Sequence, residues 1–246
     1  MPLNPLAPVT DYQSMLNRIF WFTSAAAAVA VWVLRVNVPA IDAALARIDF
    51  AAELVGGKNV PGLGGCLLPA LVVGIAGRVF GLHERISDWL KIREDFDVEV
   101  IIAELADRAG VAADSIGKPE LRRARHQLMR QAFYPYVSGP HPAVDTHLVL
   151  QALDAWSWFW IGVVMTALFV VTGMALVACG VTVTGLQFVG WTLLAAVVCL
   201  PAAYGHCRRY AIAQVRSILD DPVRTDEVRE AFAELVDDQD DQRLAA

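Results

Sequence analysis

The feature that most constrains this chain is a run of 53 residues, Ala155 to Cys207, that contains no Asp, Glu, Lys or Arg. As one α-helix it would measure about 80 Å, whereas the hydrocarbon core of a bilayer is about 30 Å thick. The run must therefore fold back on itself. The segment GVTVTG at residues 180–185 has a glycine at each end and is the predicted turn. Two membrane spans follow, near Trp156–Cys179 and Leu186–Tyr204, and the tryptophans that open the first suit a membrane interface.

Two further apolar stretches precede this run. Ile19–Leu34 is uncharged and lies between Arg18 and Arg35, whose side chains are expected to extend to the membrane interfaces. The stretch between residues 58 and 78 is also uncharged, but it contains a proline and several glycines. Neighbouring helices make such residues tolerable inside a membrane, so we expect a kinked interior helix, with a re-entrant segment as the alternative. Hydrophobic residues make up 56% of the chain, too many for an ordinary soluble domain.

The four stretches predict an all-α, polytopic membrane protein with four transmembrane helices in two hairpins, a helical cytoplasmic insert and C-terminal helices. An amphipathic segment within the first hairpin, residues 39–57, is expected to lie on the outer membrane surface. The insert is expected to begin as a continuation of the second span, and the acidic end of the chain is expected to be disordered. The predicted domains are a first hairpin over 1–82, the insert over 83–154, a second hairpin over 155–204 and a tail over 205–246.

Basic residues set the predicted orientation. The loop between the third and fourth spans has no Lys or Arg, whereas Arg85 and Arg93 lie near the start of the insert and Arg208 and Arg209 near the start of the tail. Cytoplasmic segments of membrane proteins are enriched in Lys and Arg. The insert and both termini are therefore predicted to be cytoplasmic, in the inner (plasma) membrane of a bacterium, although the first external loop also carries basic residues.

No catalytic motif is present in the sequence. HERIS at residues 83–87 begins like a zinc-protease helix motif, but Ser87 stands where the second histidine is needed. The chain has no phosphate-binding loop, no nucleophile-elbow serine and no paired CxxC motif. The carboxylates between residues 84 and 104 are expected to form a solvated helix face. We therefore predict no enzymatic activity, no catalytic residues, no metal site and no cofactor.

A basic patch in the insert supplies the candidate binding residues. Its members lie within ELRRARHQLMR at residues 120–130 and are Arg122, Arg123, Arg125 and Arg130. Arginine clusters bind phosphates, nucleotides and anionic lipid headgroups, and the alternative interpretation is ion pairing with the acidic helix at 84–107. The spacing places the four on two adjoining helix faces, so one face can pair while the other is free for an anionic ligand or a soluble cytoplasmic protein. The insert is net acidic, and duplex nucleic acid is not an expected partner.

Small residues favour close packing of the spans. Gly74, Gly77 and Gly81 are predicted to fall on one helical face, which suits helix packing and a homo-oligomer in the lipid bilayer. Cys207 precedes two arginines, and a neighbouring cation lowers the pKa of a thiol. A reactive or lipidated cysteine is therefore one interpretation of this site, and a basic interfacial anchor is the other.

The arrangement of the whole chain resembles a known class of membrane protein. Two short hairpins around a helical insert, joined through GLHERISDWLKIREDFD (residues 81–97), resemble the small four-span membrane effectors and sensors of prokaryotic antiviral defence systems. The resemblance implies a membrane-embedded homo-oligomer that responds to a cytoplasmic signal or partner by perturbing the membrane. The sequence-based hypothesis is thus a non-enzymatic membrane sensor or effector. The alternatives are a membrane anchor or scaffold that recruits a soluble partner, and a channel or transporter subunit.

Overall fold

The computed structural model describes residues 7–56, 63–111, 116–138 and 142–244, and these residues form helices and no strand. The prediction of an all-α fold is confirmed for the described residues. In chain order the elements are α1 (Tyr12–Asn37), α2 (Pro39–Gly56), α3 (Leu63–Val79), α4 (Leu82–Leu90), α5 (Ile92–Phe96), a π-helical segment (Asp97–Ile102), α6 (Ala103–Ala109), α7 (Lys118–Leu128), a second π-helical segment (Met129–Phe133), α8 (Tyr134–Ser138), α9 (Thr146–Ala178), α10 (Thr182–Leu219) and α11 (Pro222–Leu244).

Three of the described helices are long and apolar enough to cross a membrane, namely α1, α9 and α10. Helices α3 and α4 pass the same test only as a pair, and they are bent by 57° at the break between them. The described residues therefore contain three such helices, or four if the bent pair is one span. Residues 58 to 62, the beginning of the predicted second span, lie outside the described residues.

The prediction of a continuous helix from the second span into the insert is wrong. The chain breaks after α3 and again after α4, because Gly81 and Lys91 adopt φ angles of 56° and 54°. This left-handed region is readily accessible to glycine and rare for residues with a side chain. Gly81 consequently lies in the turn after α3, off the helical face that carries Gly74 and Gly77.

The chain divides into two compact units. We call the first the span unit; it comprises the residues up to Glu84 and Asp154–Tyr204. The second, the insert unit, comprises Arg85–Leu153 and the residues from Gly205 onward. Since α9 begins at Thr146 and α10 ends at Leu219, each of these helices belongs to both units without an interruption.

The turn between α9 and α10 is tighter and earlier than predicted. Helix α9 ends at Ala178, where Gly180 adopts a φ of 87°. The N–H of Val181 donates to the Leu176 carbonyl at 2.9 Å, and that of Gly180 donates to the Val177 carbonyl at 3.0 Å. This pair of bonds is a Schellman motif, which uses a left-handed glycine to satisfy the last carbonyls of a helix. The β-branched residues after it begin α10 instead of forming the turn.

Large apolar side chains from several helices form the core of the insert unit. The fully buried members are Phe96, Ile102, Leu105, Leu128, Val215, Ile218, Val228 and Phe232. Predicted helix ends are confirmed here: Gly110 closes α6 with a φ of 74°, and the N–H of Val223 donates to Asp221 Oδ1 at 3.0 Å to cap α11. The acidic end of the chain, expected to be disordered, instead continues α11 to Leu244.

Candidate functional site

The predicted basic patch is divided between two faces of the insert unit. Arg122 and Arg125 point at the acidic segment: Arg122 Nη2 lies 2.6 Å from Asp95 Oδ1, and Arg125 Nη1 lies 3.3 Å from Asp97 Oδ2. A longer contact of 3.8 Å joins Arg122 Nε to Glu94. These two arginines therefore hold α7 against α5 and the π-helical segment that follows it.

The other two arginines of the patch are exposed. Arg123 and Arg130 have no ion pair and no hydrogen bond with any described residue. They are seven residues apart, and Arg130 lies in the π-helical segment after α7. We call Arg123 and Arg130 the open arginine pair. The sequence spacing alone anticipated this division into a paired face and a free one.

Among the described carboxylates of the insert unit, Asp97 has the most strongly perturbed pKa. It is the first residue of the first π-helical segment and is only 7% exposed. Burial raises the pKa of Asp97 to about 6, while Arg93 and Arg125 act in the opposite direction. The sequence suggested a solvated acidic face for this region, whereas Asp97 is buried, and burial disfavours the charged form of its carboxylate.

We expect the buried Asp97 to make the insert unit less stable as the pH rises. The folded-state pKa of about 6 is above the unfolded value of 3.8, so the folded protein favours the protonated form. The stabilisation is complete below pH 4 and lost by about pH 6, a change of roughly 3 kcal/mol. Asp97→Asn, which keeps the shape without the charge, should become increasingly favourable relative to the wild type between pH 4 and pH 7. Thermal unfolding of both proteins across that range measures the difference, and a trend of the opposite sign would contradict this account.

A cavity in the span unit, lined by both apolar and polar residues, was not predicted. It has a volume of about 260 Å³ and lies between α1 and the turn that joins α3 to α4. Gly74, Gly77 and Gly81 all line it, together with Arg78, His83 and Glu84. A side chain at Gly74 would collide with Ser24 of α1, whereas one at Gly77 would meet nothing closer than 4.0 Å. Gly74 thus permits close packing of α3 on α1, and Gly77 leaves the space open.

The polar groups beside this cavity bond mainly to α1. Arg78 Nη1 donates to Asn17 Oδ1 at 2.6 Å, and the Tyr12 hydroxyl donates to Glu84 Oε1 at 3.4 Å. His83 Nε2 is buried without a hydrogen bond and lies 3.9 Å from Glu84 Oε1. These contacts give Arg78 and Glu84 a structural role, because they connect α3 and α4 to α1. The spacing of Gly74, Gly77 and Gly81 is the feature of the sequence from which this cavity could have been predicted.

Arg18 is buried in the span unit and does not extend freely into solvent. Only 5% of its side chain is exposed. Its Nη1 lies 2.6 Å from Asp154 Oδ1 and 2.8 Å from Ser157 Oγ, while its Nη2 donates to the Ala7 carbonyl at 2.6 Å. The guanidinium also lies over the Trp158 ring at 5.2 Å. The reason is Asp154, the last carboxylate before the charge-free run, which gives the cation a partner inside the span unit.

Cys207 lacks the exposure of a reactive thiol, and no metal centre is evident in the described part of the chain. Cys207 is 1% exposed, and burial raises its pKa to about 12, away from the thiolate form. The interpretation of Cys207 as a reactive cysteine is therefore not supported. Among the described residues, no group of three or more His, Cys, Asp or Glu side chains could hold a metal ion.

Comparison with known proteins identifies the family of this chain. The model of the YmfE protein family matches residues 11–234, which is most of the chain. No curated protein and no solved structure shows significant similarity to it.

Proposed function

The chain belongs to the YmfE protein family, and we propose that it is a non-enzymatic, homo-oligomeric membrane sensor or effector. In this proposal the insert unit receives a signal from an anionic ligand or a soluble partner protein. The signal then reaches the transmembrane helices through the helices that both units share. The membrane is the inner (plasma) membrane of a bacterium, with the insert unit and both termini on the cytoplasmic side. The antiviral-defence role implied by the resemblance stays a prediction.

The observation that carries the proposal is the continuity of α9 and α10. Helix α10 has 38 residues and α9 has 33. At 1.5 Å per residue they measure about 57 Å and 50 Å, well beyond a hydrocarbon core of about 30 Å. Both therefore extend from the apolar stretch into the insert unit with no loop to absorb a displacement. A shift or rotation of these helices in the insert unit would pass directly to their membrane segments.

The open arginine pair is the proposed receiving surface. Arg122 and Arg125 are neutralised by the acidic segment, and they fix α7 in place. Arg123 and Arg130 stay free for an incoming anion, to which arginine can donate charge-assisted hydrogen bonds. Because α7 is already held, little ordering cost would oppose binding at this surface.

Charge reversal at the open arginine pair tests the proposal. Arg123→Glu with Arg130→Glu should abolish membrane depolarisation on induced expression, measured with a potential-sensitive dye. The protein should still reach the membrane fraction in normal amounts, because neither side chain bonds to a described residue. The matched control is Arg122→Glu with Arg125→Glu, which breaks the ion pairs and should lower the amount of folded protein. If Arg123→Glu with Arg130→Glu depolarises the membrane as much as the wild type does, the open arginine pair is not the receiving surface.

Two further measurements separate the alternatives. A membrane anchor or scaffold would cause no depolarisation but would retain a soluble partner through the insert unit. A channel or transporter subunit would conduct without a signal, whatever residues stand at positions 123 and 130. The proposed oligomer requires a mass in detergent above that of one chain, and a monomeric mass would exclude a self-assembled pore.

Cysteine labelling tests the proposed orientation. In intact cells, an impermeant maleimide should not reach cysteines introduced at Ser115 or Gln239 in a Cys179→Ala background, and it should label one introduced in that background at Asp49. The exposed native Cys179, in the turn between α9 and α10, should also react from outside. Protection of Cys179 together with labelling at Ser115 would show that the topology is the reverse of the one proposed. Labelling at Gln239 with protection at Ser115 would indicate an odd number of spans between these two positions.

A further inference from the structure

A cationic surface lies on α10 in the insert unit, shortly after the apolar stretch ends. An open cavity of about 410 Å³ there is lined by Gly205, Arg208, Arg209, Ile212, Ala213 and Arg216. These positions recur at intervals of three and four residues, so they share one face of the helix. We infer that this face binds the phosphate headgroup of an anionic phospholipid.

The opposite face of α10 explains why the arginines point outward. Cys207, Ala211, Gln214 and Val215 are buried in the insert unit. Arg208, Arg209 and Arg216 are exposed, and none has an ion pair or hydrogen bond with a described residue. The lining of the cavity contains no carboxylate. The surface therefore carries three cations that the described chain leaves uncompensated.

The place of this surface along α10 selects a lipid headgroup as the occupant. From Thr182 to Tyr204 the helix is uncharged and measures about 34 Å, enough to cross a hydrocarbon core. Arg208 and Arg209 follow Tyr204 by about 6 to 8 Å of helix, at the depth of the headgroup layer. Anionic lipids attract basic residues placed next to a span in this way.

Lipid adducts of the full-length protein test this inference. The protein in a neutral detergent is titrated with phosphatidylglycerol or phosphatidylcholine, and bound lipids are counted by native mass spectrometry. The wild type should prefer phosphatidylglycerol by at least about tenfold at low salt, and high salt should weaken that preference. Arg208→Gln/Arg209→Gln/Arg216→Gln should bind both lipids equally. Lys118→Gln removes an exposed charge elsewhere in the insert unit and should keep the preference. The corresponding triple Lys variant, which retains the charge, should also keep most of it.

Several results would overturn the inference. One is equal binding of the two lipids by the wild type, and another is an unchanged preference in the triple Gln variant. Displacement of phosphatidylglycerol by an equal concentration of inorganic phosphate would mean that the surface recognises free phosphate. A preference that emerges only when residues 237–246 are removed would mean that the acidic end of the chain occupies the surface. Counting bound lipids does not depend on membrane depolarisation. A failure of the lipid site can therefore be distinguished from a failure of the proposed signalling function.

Discussion

Replacing Gly185 by alanine is expected to destabilise the α9–α10 hairpin by about 3 kcal/mol, the upper end of the usual cost of overpacking. A Cβ atom at this position would lie 2.7 Å from the Gly173 carbonyl oxygen and 2.9 Å from the Val177 backbone nitrogen. Both are backbone atoms of α9, which cannot move aside as the end of a flexible side chain could. The two glycines thus let the helices approach closely, as small residues do between membrane helices.

Gly190 supplies the matched control on the same helix. A Cβ atom there would have nothing within 4 Å. Alanine favours a helix over glycine, so Gly190→Ala should leave stability unchanged or raise it by up to about 1 kcal/mol. Thermal unfolding of the purified protein in detergent, followed by circular dichroism, compares the two variants. Equal effects of the two substitutions would show that the close approach of α9 and α10 at Gly173 and Gly185 is absent.

Loss of Asp154 is expected to cost more than loss of Arg18, although the two form one ion pair. Asp154→Ala leaves a guanidinium that is 5% exposed with no counterion, and an uncompensated buried charge costs about 3 to 5 kcal/mol. Arg18→Met leaves a carboxylate that is 40% exposed and can be hydrated. It also keeps an apolar side chain beside Trp158, so we expect a loss of about 1 to 2 kcal/mol from the missing hydrogen bonds.

The double variant provides the decisive comparison. Arg18→Met with Asp154→Ala should be more stable than Asp154→Ala alone, because it removes the unpaired cation. Arg47→Met is the control for loss of one arginine, since Arg47 is exposed and has no bond with a described residue. The free energies of unfolding of the wild type, the two single variants and the double variant, measured in the same detergent, complete the cycle. A double variant less stable than Asp154→Ala would show that Arg18 contributes mainly through packing.

Structural features that depend only on residues close together in the chain could be predicted from the sequence. The charge-free run required membrane-length helices, and the structure has them in α9 and α10. Gly110 and Asp221 were recognised as helix ends because a cap acts on backbone groups only a few residues away. The two faces of the basic patch followed from the helical repeat. The acidic partners of Arg122 were expected on the preceding helix, but the individual pair with Asp95 was not.

The tertiary structure decided the features that depend on distant residues. Arg18 and Asp154 are 136 positions apart, so only the packing of α1 against α9 could show that this cation is buried and paired. The same holds for the contact of Gly173 with Gly185, and for the cavity that Gly77 lines between α1 and the turn after α3. The sequence by itself determined that long apolar helices form and where several of them end, because those signals act within a helical turn. Only the tertiary structure decided which helix faces meet. The free energy of packing depends on side-chain volumes and buried charges throughout the packed unit, so it cannot be inferred from neighbours in the sequence.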